Sequence, residues 1–335
     1  MMTMNSCRKL TIGALTAVAV ALGGAGAFAQ KAEKVSIRTD FTPAGSHAAL
    51  HLAFAKGWFK DVGLDVDLQD GKGSLNTIQL IATGDVDIGQ LSVSAVPAAR
   101  EAGMKVKSIA SFARRSDFAV LVPKDSAIKK AQDLRGKRLV LFAASPWTPL
   151  IDTFLANAGM KREDVTILFV DASAMYPTYG AGRADAILSL APFALPVLEK
   201  ILPSRSIDAA DYGIAMPALG LVAREDTIAK RPEVVRKVVE VTIRAWEHMR
   251  NGGVDEAVAA VLKNRPDAKL DATILAGQAK GYLDYFDTPN TKGKPVGWQS
   301  EEDWKTALAL MHKTGLIKSN IALQDVFTNE FIKAK

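Results

Sequence analysis

The sequence predicts an α/β protein with two lobes and a ligand cleft between them. Residues 35–68, VSIRTDFTPAGSHAALHLAFAKGWFKDVGLDVDL, have the pattern of strand, loop, helix and strand. Residues 139–170 repeat this order, and each unit is followed by a Gly-x-x-Asp turn, at Gly84 and at Gly182. Two units with the same order of elements favour a protein of two lobes, in which the helix N-termini of both lobes face a common cleft.

The first unit contains the first candidate for a binding wall. A strand is predicted at 35–38, then a loop with proline and glycine, then a helix over 47–60 with Ser46 as its N-cap. Alternating apolar and acidic residues over 64–68 predict a second strand. In a βαβ unit ligands bind outside the carboxyl end of the strand, at the helix N-terminus, which places the site at Asp40–His47.

The rest of the chain continues this alternation and then becomes helical. The other predicted strands are a short one out of the turn 84–89, then 106–112, 118–122, 139–142, 165–170 and 213–222. The other predicted helices are 77–83, 95–102, 148–157, 176–181, 232–249, 254–263, 272–286 and 301–313. Because the strand at 213–222 returns after the second unit, the chain is expected to cross back. Lobe I is predicted to comprise 33–115 and 218–335, and lobe II 118–215, joined by two crossover strands.

The N-terminal stretch is predicted to be a signal peptide, residues 1–29. A basic pair precedes an apolar run rich in small residues, and the triplet AFA fits cleavage after Ala29. The one cysteine, Cys7, lies in this stretch, so the exported chain would have no disulfide. It would keep 40 basic against 36 acidic side chains, a net charge of +4 without a basic run, which does not support nucleic-acid binding.

Short motifs spread over residues 35–187 resemble those of a known family. The chain is similar to the periplasmic substrate-binding proteins of ABC importers of the nitrate, sulfonate and taurine type, which include binders of the thiamine pyrimidine precursor. The matching motifs are DFTP at 40–43 with His47, AKGWF at 55–59, GLDV at 63–66, GDVDIG at 84–89, LV at 121–122, DLRGKR at 133–138 and GRADA at 182–186.

The resemblance implies the type II periplasmic binding protein fold, with two α/β lobes joined by two crossover strands. It implies a periplasmic solute-binding component of an ABC importer, which captures its solute by closure of the lobes, performs no reaction and needs no cofactor. The implied partners are a small-molecule ligand and an inner-membrane permease with its cytoplasmic ATPase. We expect a monomer that binds no nucleic acid.

The chain departs from the family pattern at two places in the cleft. Phe41 stands where the pyrimidine-precursor branch usually has Trp, and Ala44-Gly45-Ser46 stands where that branch has an Asn-rich loop. Leu190 and Ala191 replace the first two residues of a Trp-Glu-Pro-aromatic motif. The second departure removes a carboxylate that could face the cleft, and this argues against an amine-bearing ligand.

Aromatic residues occupy the loops that line the cleft in the family, and they indicate a planar ligand. They are Phe41, Trp147, Tyr176 and Phe193. Flat rings stack on planar solutes for about 0.5–1.5 kcal/mol each, and the alternative role for each ring is core packing. We therefore expect a small planar or anionic organic solute: a heteroaromatic or pyrimidine-like compound first, an aromatic carboxylate next, and an alkanesulfonate or nitrate last.

Polar candidates occur on both lobes. Besides Asp40 and His47 they are Ser74, Asn76, Arg115, Ser145 and Thr148. The hydroxyl and amide side chains at helix starts can donate to an anion or a carbonyl, or they can be plain helix caps. Arg115 is the first candidate to hold a ligand carboxylate, and the alternatives are a solvated surface arginine or an interlobe ion pair.

No metal or catalytic site is predicted. His47 and His51 have zinc-ligand spacing, but Ala48 stands where an H-E-x-x-H helix has glutamate, and no third ligand is evident. No Ser-His-Asp order, phosphate loop or cysteine pair occurs. Two alternatives remain: an enzyme of the same fold, similar to the pyrimidine-precursor synthase that consumes its own histidine, and a ligand-sensing module that feeds a signalling partner.

Overall fold

The computed structural model describes residues 32–143 and 145–333, which form two five-stranded mixed sheets flanked by helices. The strands are β1 Glu33–Thr39, β2 Leu64–Gln69, β3 Ile88–Ser92, β4 Val106–Ser111, β5 Phe118–Pro123, β6 Arg138–Phe142, β7 Thr166–Val170, β8 Ala186–Leu190, β9 Ser204–Asp208 and β10 Leu219–Arg224. The α-helices are α1 Ala48–Ala55, α2 Trp58–Asp61, α3 Ser74–Thr83, α4 Val96–Glu101, α5 Ile151–Asn157, α6 Met175–Gly180, α7 Ala191–Leu198, α8 Glu225–Lys230, α9 Pro232–His248, α10 Val254–Asn264, α11 Ala272–Asp284, α12 Glu301–Lys313 and α13 Leu323–Val326. The predicted signal peptide lies outside the described residues.

The two sheets repeat one topology. The strand order is β2-β1-β3-β10-β4 in the first sheet and β7-β6-β8-β5-β9 in the second. The fourth strand in this order, β10 in the first sheet and β5 in the second, is antiparallel to both of its neighbours. It is also the first strand that the chain forms after it crosses from the other sheet. The predicted architectural repeat is confirmed. We call each sheet with the helices packed on it a lobe, lobe I for the first sheet and lobe II for the second.

The two connections between the sheets run side by side. The backbone N–H of Ala218 donates to the carbonyl of Ala113 at 2.9 Å, which joins the outgoing and returning segments. The returning strand begins at Leu219 and not at 213 as predicted. Gly213 instead follows a short 3₁₀ turn with a φ of 77°, and Pro217 has no N–H to donate to a ladder.

Strand β5 shows why the second sheet needs helices on both faces. Val120 and Val122 pack into one hydrophobic cluster, while Ala119 and Leu121 pack into the other, and all four are fully buried. A short continuous apolar run of this kind is typical of a strand buried on both faces. Its partner β9, with the sequence SRSID, was not predicted because it has no such run.

The opening helix differs from the prediction. The predicted helix over 47–60 is a 3₁₀ turn, Gly45–His47, followed by α1 and α2, and Gly57 separates the two helices with a φ of 73° that favours glycine. Ser46 is not a helix cap: it is buried within the 3₁₀ turn, and its carbonyl accepts a hydrogen bond from Gln90 Nε2 at 2.8 Å.

The lobes touch where α11 packs on α7. Gly277 lies against Pro196, and Gly281 lies against Pro192, so the absence of side chains lets the two helices approach closely. Helix α11 also contacts the 3₁₀ turn Gly45–His47 and α10, which places it in lobe I. Among the helices described, none has the length and apolar character needed to cross a membrane.

Candidate functional site

Asp40 is the centre of a polar cluster at the carboxyl edge of the first sheet. Its Oδ2 accepts a hydrogen bond from Ser74 Oγ at 2.8 Å, and its Oδ1 lies 3.0 Å from His47 Nε2. Ser74 begins α3, and its hydroxyl also accepts a hydrogen bond from the backbone N–H of Ser92 at 3.3 Å. Three predicted site residues therefore meet where parallel strands end, the usual place for a ligand in α/β proteins.

Gln278 connects this edge to the other lobe. Its Oε1 accepts a hydrogen bond from the backbone N–H of Gly45 at 2.9 Å, and its Nε2 donates to the carbonyl of Phe193 at 3.0 Å. Gln278 lies on α11 and is buried. One side chain thus connects the 3₁₀ turn Gly45–His47 of lobe I to the first turn of α7 in lobe II.

We expect Gly45→Ala to separate these elements. A Cβ at Gly45 would lie 2.3 Å from the carbonyl oxygen of Leu275 and 2.5 Å from the backbone nitrogen of Ala279, and backbone atoms within a helix cannot move aside. Such overpacking costs about 1–3 kcal/mol, and the hydrogen bond to Gln278 would be lost in addition. Urea unfolding should show a loss of at least about 2 kcal/mol in the free energy of unfolding.

Gly180→Ala is the matched control for this substitution. A Cβ at Gly180 would come within 3 Å of one atom only, Cγ2 of the exposed Ile201, and rotation of that side chain about χ1 relieves the contact, whereas the atoms around Gly45 belong to the backbone. Alanine is also the better helix former in α6. We expect the stability of this variant to stay within about 1 kcal/mol of that of the wild type. Equal losses in the two variants would contradict the role given to Gly45.

The aromatic pair Phe41 and Phe193 comes from opposite lobes. Their ring centroids are 6.2 Å apart with an interplanar angle of 82°, an edge-to-face contact. Phe41 is 48% exposed, so about half of its surface is available to a solute. Tyr176 in α6 lies in lobe II; burial raises the pKa of its phenol, and the hydrogen bond with Ser189 partly offsets this.

Trp147 is a core residue, and the prediction that it lines the cleft is wrong. Its side chain has no exposed surface, and its ring meets the edges of Phe118 and Phe154 at centroid distances of 5.5 and 5.4 Å. Its Nε1 donates to the carbonyl of Ser189 at 2.9 Å. The loop after β6 therefore turns this indole inward, into the hydrophobic core of lobe II, which was the alternative role for this ring.

The other polar candidates make mostly local contacts. In lobe II, Ser145 is buried and accepts a hydrogen bond from the backbone N–H of Trp147 at 3.3 Å, and Thr148 Oγ1 donates to the carbonyl of Ala143 at 2.9 Å. These contacts stabilise the loop itself. Asn76 is half-buried in α3, one position beyond exposed Leu75. The role of these three residues toward a ligand stays a prediction.

Arg115 has a partner within the protein. Its guanidinium forms an ion pair with Asp208 and lies over the ring of Tyr285, 5.0 Å from the centroid. The hydroxyl of Tyr285 also donates to Asp208 at 3.3 Å, and burial raises the pKa of this phenol. This is the interlobe ion pair that was the alternative, and it removes the observation that favoured a carboxylate ligand.

Arg114, the neighbouring arginine, is bound even more fully. Its guanidinium donates to the carbonyls of Phe286 and Pro295 at 2.6 and 3.0 Å and pairs with Asp287. Burial lowers its pKa, and Asp287 works against that shift. Neither arginine of the crossing segment is therefore free to bind an anion in this arrangement.

Asp117 is a buried carboxyl group that the sequence did not single out. It directly precedes β5, its side chain is only 5% exposed, and its carbonyl accepts a hydrogen bond from the backbone N–H of Ala191 at 2.8 Å. Burial raises the pKa of Asp117 to about 7, and the negative charge of Asp40 adds to this effect. The one feature of the sequence that could have drawn attention to Asp117 is its place as a charged residue immediately before a buried strand.

The two histidines of the opening unit have different surroundings. His51 is buried one turn beyond His47, and its Nδ1 lies 3.3 Å from Asn264 Nδ2. Burial lowers the pKa of His51 to about 3, and the charge of His47 adds to that effect. Within residues 32–143 and 145–333, no three His, Cys, Asp or Glu side chains form a group that could hold a metal ion.

The topology of the two sheets defines a periplasmic binding protein fold, as predicted. The sulfonate-binding protein SsuA from Escherichia coli has the same fold, with a TM-score of 0.69, 16% identity, and coverage of 90% of this chain and 94% of that chain. Residues 44–252 match the family model described as NMT1/THI5 like, so the chain belongs to that family.

Three relatives with known roles are similar over most of the chain. The formylaminopyrimidine-binding protein of Halalkalibacterium halodurans is 24% identical, over 89% of this chain and 90% of its own length. The riboflavin-binding protein RibY of Chloroflexus aurantiacus is 25% identical, over 90% and 86% respectively. A 4-amino-5-hydroxymethyl-2-methylpyrimidine phosphate synthase of Saccharomyces cerevisiae, THI13, is 26% identical over 65% of this chain and 67% of its own length.

Proposed function

We propose that this protein is the periplasmic solute-binding component of an ABC importer and captures a planar heteroaromatic solute between its lobes. The observation that carries the proposal is the meeting of two walls, Phe41 of lobe I against Phe193 of lobe II, next to the cluster around Asp40. A solute that contacts both walls stabilises the closed arrangement by its differential affinity for that state.

The relatives support the same class of solute. Two of them are named for binding a formylaminopyrimidine and riboflavin, which are planar nitrogen heterocycles. We propose further that the chain is exported with cleavage after Ala29, works as a monomer, and delivers its solute to an inner-membrane permease with a cytoplasmic ATPase. No reaction belongs to this function.

A thermal-shift screen tests the proposal. The purified protein is heated with pyrimidines, flavins, aromatic acids, sulfonates and oxyanions, each in excess. A ligand at one hundred times its dissociation constant should add about 2.7 kcal/mol to the free energy of unfolding. We expect planar nitrogen heterocycles to give the largest upward shifts in melting temperature.

The synthase relative makes an enzyme the second candidate. Mass spectrometry of the solute and of the protein after prolonged incubation separates the two functions. The proposed function predicts that the solute is recovered unchanged and that His47 and the other histidines keep their mass. Conversion of the solute, or loss of mass at a histidine, would favour the synthase-like enzyme.

A further inference from the structure

We propose that α7 and α11 stay packed against each other when the lobes open and close, so that the lobes rotate about this contact. We call the contact between Ala191–Leu198 and Ala272–Asp284 the α7–α11 interface. The inference rests on the lobe closure of the proposed function, and it names the axis of that motion. The cleft then opens most at the points farthest from this interface.

The two helices fit together through paired prolines and glycines. Pro192 and Pro196 are four residues apart in α7, and Gly277 and Gly281 have the same spacing in α11. Residues with this spacing lie on one face of a helix. A Cβ at Gly277 would lie 2.8 Å from Cβ of Pro196, and a Cβ at Gly281 would lie 3.2 Å from Cα and Cβ of Pro192. Each proline therefore fills the space that a glycine leaves, and any sliding of the helices would lose both fits.

The α7–α11 interface is continuous with the hydrophobic core of both lobes. Ile37 of β1 and Ile187 of β8 belong to the same cluster of buried residues as the interface. The members of this cluster from the two helices are Ala191, Ala194, Leu198, Leu275, Ala279 and Tyr282. Separation of the helices would expose this apolar surface to water, which is unfavourable. Domains joined by a large hydrophobic interface do not move apart freely, and the described residues of the two lobes form a single compact unit.

A buried amide joins the helices at the middle of the interface. Gln278 on α11 is 3% exposed, and its Nε2 donates to the carbonyl of Phe193 on α7 at 3.0 Å. A buried amide that loses its partner is costly. A lobe motion that separated the two helices would break this hydrogen bond, whereas a rotation about the interface preserves it.

At one end, both helices are attached to the outgoing connection between the lobes. The backbone N–H of Ala191, the first residue of α7, donates to the carbonyl of Asp117 at 2.8 Å. The backbone N–H of Arg115 donates to the carbonyl of Tyr285, which directly follows α11, at 3.0 Å. A rotation about a line through this connection and the interface leaves both hydrogen bonds intact.

At the other end, an ion pair joins the helices. Lys200, just beyond α7, pairs with Asp271, the N-cap of α11. The carboxylate of Asp271 also accepts hydrogen bonds from the backbone N–H groups of Thr273 and Ile274 at 2.9 and 3.1 Å, which fixes its position. The interface thus follows the whole of α11, a length of about 20 Å, and is attached at both ends. A long contact of this kind defines an axis, which a single point of contact does not.

The alternative role for the interface is a latch that opens with the cleft. A latch exposes the proline and glycine faces each time the lobes open, whereas an axis keeps them buried in every state. The two roles therefore differ in how often the interface meets solvent, and a thiol placed there measures this frequency.

Labelling of single cysteines by N-ethylmaleimide separates the two roles. Cys7 lies in the predicted signal peptide and is the one cysteine of the sequence, so each variant of the exported chain carries one thiol. Pro192→Cys places the thiol in the interface, and Pro177→Cys, at an exposed proline of α6, is the matched control. Ala119→Cys places it in the fully buried strand β5 as the core reference. Pro196→Cys is the second interface variant in case the loss of Pro192 disturbs the start of α7.

We expect the thiol of Pro192→Cys to react as slowly as that of Ala119→Cys, to within about threefold, after correction for the measured stability of each variant. It should react at least about a hundredfold more slowly than the thiol of Pro177→Cys. Low concentrations of urea should accelerate both buried thiols in parallel, because both become accessible only when the whole protein unfolds. An interface thiol that reacts more than about tenfold faster than the core thiol would overturn the inference.

A cross-link across the interface tests the motion itself. Oxidation of the double variant Pro192→Cys/Gly281→Cys should form a disulfide, because the 3.2 Å between Cβ of Pro192 and a Cβ at Gly281 is close to the usual separation of about 3.5–4.5 Å. The reduced form of the same variant is the control. Each compound of the thermal-shift screen should raise the melting temperature of both forms equally, to within about 1 °C.

Loss of these shifts in the oxidised form alone would show that a solute enters only when the interface opens, and it would contradict the inference. Absence of shifts in both forms would count against the proposed function. The labelling rates would still decide whether the interface stays closed, so the two failures are distinguishable.

Discussion

Trp147→Ala is expected to lower the free energy of unfolding by about 3–5 kcal/mol, the usual cost of removing a large aromatic side chain from a core. The indole has no exposed surface, and it packs against Phe118 and Phe154 in lobe II. The carbonyl of Ser189 would also lose its donor. Urea unfolding at neutral pH, followed by fluorescence, measures this loss.

Phe41→Ala should behave in the opposite way. Phe41 and Phe169 are both 48% exposed, but Phe41 lies at the cleft and Phe169 lies on β7 of lobe II. Both alanine variants should keep their stability to within about 1 kcal/mol, and Phe41→Ala alone should weaken solute binding, by about 0.5–1.5 kcal/mol of stacking energy. Unfolding of Phe41→Ala, or full stability of Trp147→Ala, would reverse these assignments.

The second large effect is a pair of opposed pH dependences. Burial lowers the pKa of His51 to about 3, so below pH 6.5 the unfolded chain binds a proton that the folded chain does not, and acid destabilises the fold. Burial raises the pKa of Asp117 to about 7, so above pH 3.8 the folded chain retains a proton that the unfolded chain has lost. Raising the pH toward 7 therefore destabilises the fold through Asp117.

Each group changes the free energy of unfolding by about 1.4 kcal/mol per pH unit within its range. The two slopes have opposite signs between about pH 4 and pH 6.5. Their contributions to the pH dependence of the wild-type free energy of unfolding should therefore nearly cancel. In Asp117→Asn the slope of His51 remains, and stability should rise with pH across this range. In His51→Gln the slope of Asp117 remains, and stability should fall.

Urea unfolding of the three proteins at pH 4, 5, 6 and 7 measures these slopes. At pH 7 Asp117→Asn should be more stable than the wild type, by up to about 4 kcal/mol. Parallel curves for all three proteins would show that neither group titrates out of its usual range.

Much of the fold could be predicted because it follows from local patterns. The βαβ unit at 35–68, its counterpart at 139–170 and the apolar run of β5 all specify strands by their alternating or continuous apolar residues, with apolar helices between them. The edge strand β9 and the starting point of β10 could not be located, because a polar edge strand and a proline-containing crossing have no periodic apolar signal.

The contacts among the candidate residues could be predicted only in part. Asp40, His47 and Ser74 come together because they lie at one edge of one sheet, which strand order alone specifies. The surroundings of Trp147 and Arg115 are set by long-range contacts, which no local pattern contains. Trp147 packs into the core of lobe II, and Arg115 pairs with Asp208. Gln278 could not be predicted for the same reason, since its hydrogen bonds to Gly45 and Phe193 cross the junction between the lobes.

The most direct measurement is a calorimetric titration of the wild type, Ser74→Ala and Tyr176→Phe with the solute that the screen identifies. Ser74 belongs to lobe I and Tyr176 to lobe II. Capture between the lobes predicts one solute per chain, recovered unchanged, and weaker binding in both variants. Binding that depends on one lobe alone, or a solute that is chemically converted during the titration, would contradict this account.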